Sequence, residues 1–208
     1  MYSEVLQQMD LLLDNFQNTR AFFPYMTDKL IGTKSWVTAS FYEARGIRIN
    51  FFFSKPLQRE DIDRINSIGH WINECFVLRL YAILNHYGIV SDKKSINKNL
   101  DGHDEVDILR RLRQVIAHTS GRYNSKSSDD RKLYERIVNH FSVDAEPAKV
   151  ASQFPLPIDS VLFPLAEGCK RYIKGLAEHC ANECNRAQEG AYRVHEGAKK
   201  PHPAEGNI

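Results

Sequence analysis

The chain has 208 residues, 42% of them hydrophobic and 26% charged, with a formal net charge of +2. That length suits one sizeable domain with its own core, and eleven Phe, nine Tyr and two Trp exclude general disorder. A charge so close to neutral excludes a globally basic surface, so any nucleic-acid partner has to be held by local clusters.

The first fifteen residues contain Glu4, Asp10 and Asp14 and lack the basic start and unbroken apolar run of a signal peptide; no window reaches the length of a membrane span. A cytoplasmic location and no membrane partner are expected. The four cysteines, Cys75, Cys169, Cys180 and Cys184, are too sparse for a disulfide scaffold and are expected to be reduced thiols.

In chain order, Val5, Leu6, Met9, Leu12, Leu13 and Phe16 recur at helical spacing and predict a first helix over 3–19. The run Phe22-Phe23-Pro24-Tyr25 interrupts it. Rising β-branched and aromatic content then suggests a short hairpin at 36–53, with Val37 to Tyr42 and Ile47 to Phe53 extended around Arg45-Gly46. Helix is the alternative there. Phe51-Phe52-Phe53 is expected to be covered, since an exposed patch of that size invites association.

Lys55-Pro56 opens a long helix over 57–87 with Glu60, Asp61 and Asp63 near its positive end and a core stripe of Ile62, Ile65, Ile68, Ile72, Phe76, Leu80 and Leu84. Gly88 is the expected stop. A polar loop over 91–102 leads to a helix from Asp104 or Glu105 to His118, with Ile108, Leu109, Leu112, Val115 and Ile116 on one face. Another helix is predicted over 129–141, with Leu133, Ile137, Val138 and Phe141 inward, and prolines 147, 155, 157 and 164 mark an irregular crossing. The last helix is predicted over 161–192, ending early if Gly190 stops it, with a flexible tail over 193–208. The fold class is therefore all-α: an antiparallel helical bundle over 56–192, with residues 1–55 as an N-terminal extension packed on it.

The chemistry concentrates at the end of the 104–118 helix, where Arg110, Arg111 and Arg113 precede His118. Arginine is a permanent cation that grips phosphate, and histidine exchanges protons near neutral pH, so the two make phosphodiester chemistry possible without a metal. Like charges this close cost stability unless an anion joins them. On an ideal helix Arg113 and His118 diverge by about 140°, whereas Arg111, Gln114 and His118 lie within about 60° of one another. Either those three form one stripe, or the helix loosens near Thr119 to Gly121 and lets the histidine swing towards Arg113. A third solution is a two-fold homodimer in which the same helix end from two chains converges and supplies the second proton-handling group. The structural alternative is that basic residues in a last helical turn merely complement its negative end.

Arg113-Gln114-Val115-Ile116-Ala117-His118 resembles the Arg-x4-6-His signature of the HEPN superfamily, and the resemblance extends over roughly 57–141. It implies a small helical bundle acting as a metal-independent endoribonuclease, usually a homodimer, in toxin or phage-defence systems, with an antitoxin or other regulatory partner. Arg113 would take the family's arginine role and His118 its histidine role, with no cofactor. One departure is Gln114, where the family often carries Asn, Asp or His; glutamine still makes hydrogen bonds but offers no second proton-transfer group. The implied reaction is attack of an RNA 2′-hydroxyl on the adjacent phosphorus, leaving a 2′,3′-cyclic phosphate.

Arg110, Arg122, Tyr123 and Lys126, with Asn124 and Arg131 nearby, are candidate RNA contacts, and Tyr123 is a candidate stacking ring; a solvated loop is the alternative. His70 and Glu74 have the spacing of a helix-surface pair that could face the motif helix, with no catalytic role assigned. His179, Cys180, Cys184 and Cys169 have metal-compatible ligand types but lack a second close pair, so no metal site is assigned. The competing functional class is a non-catalytic helical module that binds a protein or a nucleotide.

Overall fold

The computed structural model describes residues 1–37, 48–119, 121–144 and 152–197, with side chains described as far as Glu183. Among the described residues five α-helices run in chain order: α1 (Tyr2–Phe22), α2 (Arg59–His86), α3 (His103–Thr119), α4 (Ser128–Phe141) and α5 (Phe163–Gly197). A 3-10 turn (Asp28–Leu30) and two short antiparallel strands, β1 (Ser35–Val37) and β2 (Asn50–Phe52), lie between α1 and α2.

Helix boundaries follow local chemistry. The Asp61 carboxylate accepts a hydrogen bond from the Gln58 backbone N–H at the start of α2, and Gly88 at φ +67° takes the chain out of it. Ser127 accepts the Asp130 N–H at the start of α4, while Ser142 closes that helix in the left-handed region. A π-type turn, Ile158–Leu162, leads into α5, and Pro164 sits in the first turn of that helix, where a missing N–H costs nothing. The helix does not stop at Gly190; it continues to Gly197, so residues 193–197 are helical where a flexible tail was expected. An interior glycine costs only about 1 kcal/mol, too little to end a helix of this length. Residues 198–208 lie outside the described part.

The bundle consists of α1, α2, α3 and α5, and each neighbouring pair is antiparallel. Phe16 stacks on Phe76 while Met26 pairs with Asn66, which runs α1 against α2. Tyr81 meets Arg113 while Glu74 meets Gly121, which runs α2 against α3. Leu100 approaches Gly175 and Glu105 approaches Arg171, and Tyr2 meets Cys180 while Asp10 meets Lys170, which places α5 antiparallel to both α3 and α1. One core joins Val5, Met9 and Phe16 of α1 to Phe76 and Leu80 of α2, Leu109 and Leu112 of α3, Leu133 and Ile137 of α4 and Leu165 of α5. The first helix is thus a full member of the bundle.

The hairpin's strands pair with Trp36 opposite Phe51, three described residues on each; the expected extended run from 38 to Tyr42 and the turn at Arg45-Gly46 lie outside the described residues. Trp36 stacks on Phe51 at 5.5 Å and Phe53 packs on a small second core of Met26, Leu57 and Ile62, whereas Phe52 is 81% exposed and not covered as anticipated. Strand alternation explains this, because a residue between two inward ones points outward. Ile68 also departs from its expected core place and is 37% exposed. The turn after α3 lies level with Glu74, so α3 offers nothing to cover the α2 turn that carries Ile68.

Candidate functional site

Among the described residues α3 stays α-helical through Thr119, so no loosening brings His118 round to Arg113. Arg111, Gln114 and His118 are all exposed, as one stripe along an unbroken helix requires. The last turn is closed by the Thr119 hydroxyl, which donates to the Val115 carbonyl at 2.8 Å, and by Gly121 at φ +70°. His118 makes no hydrogen bond or ion pair among the described residues.

Arg113 lies on a different side of the helix. Its guanidinium sits 5.1 Å from the centre of the Tyr81 ring and 3.6 Å from Asp92 Oδ2, and the Tyr81 hydroxyl donates to the same carboxylate at 3.0 Å. Burial and the Asp92 bond push the Tyr81 hydroxyl above its ordinary pKa, so it stays a donor. Arg113 is thereby clamped against α2, with a third of its side chain still exposed.

The anion that relieves the arginine crowding is within the chain. Asp107 takes Arg110 Nη2 at 2.6 Å, Arg111 Nε at 3.2 Å and Arg136 Nη1 of α4, while Arg136 Nη2 reaches Asp104 at 2.6 Å. Asp107 thus supplies the anion that offsets the repulsion of Arg110 and Arg111, at i+3 and i+4. Arg110 also donates to the Lys94 carbonyl. Burial alone would push the Asp107 carboxyl up, but hydrogen bonds from Arg136 and Arg110 outweigh it and hold the carboxyl below the usual range. A depressed folded-state pKa stabilises the fold above the unfolded value, near about 3.9, and that stabilisation is lost as pH falls through the lower folded value. Asp107→Asn is accordingly expected to lower Tm at neutral pH, with the gap to wild type closing in acid below about pH 4. A gap of constant size across that range would refute the network's role.

The loop after the motif is folded back rather than free. Arg122 pairs with Gln153 in an isolated antiparallel bridge, and the Tyr123 N–H donates to the Ser152 carbonyl at 2.9 Å. The Tyr123 ring packs 4.6 Å from Tyr134 and 5.7 Å from Phe154, at the edge of the core and partly buried. The Lys126 N–H donates to Asn124 Oδ1 and Arg131 donates to the Ser125 carbonyl; Arg122 and Lys126 are exposed.

Beside this loop opens a cavity of about 530 Å³, which sequence reasoning did not identify. His70, Trp71 and Glu74 line one wall and Arg122, Ser152 and Gln153 the other. Glu74 is 9% exposed, and its Oε1 lies 3.4 Å from His70 Nε2, which is itself buried without a hydrogen bond. A Cβ at position 121 would fall 1.7 Å from Glu74 Oε1, so this carboxylate occupies the space that only a glycine leaves open. The pairing of His70 with Glu74 at i,i+4 and the Gly121 stop were the available signals; their convergence depends on the α2–α3 register.

The cysteine and histidine cluster of α5 disperses. His179 pairs with Glu183, Cys180 Sγ lies 3.3 Å from the Tyr2 hydroxyl, and Cys169 is fully buried, where burial pushes its thiol pKa strongly up. The Cys184 side chain lies outside the described ones. Among the described residues no three His, Cys, Asp or Glu side chains gather as a metal site would require, and no helix is long and apolar enough to cross a membrane. No protein-family model, curated protein or solved structure matches this chain.

Proposed function

We propose that the protein is a metal-independent endoribonuclease of toxin or phage-defence type, active as a homodimer in the cytoplasm and restrained by a regulatory partner. The observation that carries the reading is the exposed stripe of Arg111, Gln114 and His118 at the end of α3, which leaves an imidazole without an intramolecular partner among the described residues. His118 takes the proton of the attacking 2′-hydroxyl, and an arginine of the same helix stabilises the charge that develops on the phosphoryl oxygens. A two-fold copy of the stripe supplies the second proton-handling group. DNA lacks the internal nucleophile and is not cut.

Two arginines compete for the phosphate. Arg113 has the position of the resemblance, and Arg111 shares the face of His118. Incubation of the purified protein with total RNA in chelator tests the whole reading: fragments should carry 2′,3′-cyclic phosphate ends, and intact RNA would overturn it.

A second reading is favoured by a specific observation: Arg110, Arg111 and Arg113 all have carboxylate partners within the chain. A non-catalytic module that binds a protein or nucleotide needs no free arginine on α3. It is distinguished by unchanged RNA pools on overexpression.

A further inference from the structure

The cavity between α2 and the loop after α3 brings together four groups of different chemistry. Trp71 is 63% exposed and presents an indole. Glu74, though largely buried, is among the residues that line it. Arg122 is exposed on the opposite wall, and Ser67 supplies a hydroxyl at the rim. A volume of about 530 Å³ lies within the range of small-molecule sites.

An aromatic platform accepts the face of any nucleobase, and a guanidinium accepts a phosphate. Discrimination then falls to Glu74. A carboxylate is an acceptor only, so it matches the base edge with two adjacent donors. Guanine has that edge in its N1–H and exocyclic amine. Adenine and cytosine offer one amine beside an acceptor, and uracil offers one N–H between two carbonyls. Glu74 is also anchored, since Gly121 packs against its Oε1 and His70 Nε2 lies 3.4 Å from the same oxygen, so the carboxylate is held in place before any ligand arrives.

We infer that this cavity is a guanine-specific nucleotide site, with the base on Trp71, its donor edge on Glu74 and its phosphate on Arg122. The inference deepens the ribonuclease reading, on which its role as a substrate subsite rests. The Arg122 N–H donates to the carbonyl of Thr119, the residue after His118, so the pocket adjoins the end of the motif helix and a guanine held here sets where a single-stranded RNA is presented to it.

Calorimetric titration of the full chain with 5′-GMP, 5′-AMP, 5′-CMP and 5′-UMP tests the pocket, because none of these contains a scissile internucleotide bond. GMP should bind at least about tenfold more tightly than the other three, as expected of a paired two-donor contact. Glu74→Gln should abolish that preference, since an amide places a donor where two acceptors were needed. Trp71→Ala and Arg122→Ala, both at exposed positions, should weaken all four nucleotides together. Equal affinity for the four, or no GMP binding at millimolar concentration, overturns the assignment. Where Glu74→Gln fails to fold, undiminished GMP binding by Trp71→Ala overturns it instead. Cleavage of total RNA by the wild-type protein separates the two readings: a protein that cuts RNA but shows no GMP preference loses the pocket, and one that prefers GMP but cuts nothing loses the ribonuclease.

Discussion

His118→Ala should slow RNA cleavage by at least about a hundredfold while leaving Tm within a degree or two of wild type. Proton transfer by a positioned side chain contributes typically 10²–10⁴-fold, and His118 is the one imidazole in the last turns of α3. The exposure of His118 makes the stability half of the expectation strict, because an exposed side chain without a polar partner among the described residues takes little packing with it. In a two-fold dimer the substitution removes both copies at once, so the loss should lie towards the upper end of that range. A mixed dimer with one altered chain should then retain partial activity. Arg111→Ala and Arg113→Ala sort the arginines, since the phosphate ligand is the one whose loss costs the larger factor in kcat. Cleavage by His118→Ala at the wild-type rate would end the ribonuclease reading.

Phe76→Ala should destabilise the fold by about 3–5 kcal/mol, the usual cost of emptying a buried aromatic site. Phe76 is 2% exposed and its ring centre lies 4.5 Å from that of Phe16, whose own ring meets Phe163 edge-on at 6.4 Å. One side chain thereby ties α2 to α1 and, through Phe16, to α5. Because α1 belongs to the same core as α3, the loss should appear as one cooperative transition at lower denaturant concentration with an unchanged slope. Separate melting of the first helix, with the remainder stable, would show that residues 1–22 are an independent unit.

The helices were legible because each carries its own periodic stripe and its own stop. Gly88 sits at positive φ where a helix was expected to end, and the apolar face from Ile108 to Ile116 is buried or packed on the core as its spacing required. The misjudged positions share a different cause. Ile68 has core spacing but lies beyond the turn that ends α3, Phe52 points away from the hairpin's covered face, and Gly190 is carried through by the helix around it.

The candidate site divides in the same way. Residue types along α3 were enough to single out Arg113 and His118, and helical geometry alone placed Arg111, Gln114 and His118 on one face. That Asp107 neutralises Arg110 and Arg111 was within reach of the sequence too, since the partners lie one turn apart. The clamp of Tyr81 and Asp92 on Arg113, the salt link from Arg136 and the packing of Tyr123 into the core edge were not. Each joins residues distant along the chain, and such contacts are set by how one helix is positioned against another. The cavity of His70, Trp71, Glu74 and Arg122 exists for the same reason: local spacing makes the helices, while the antiparallel register of α2 and α3 decides which side chains share a space.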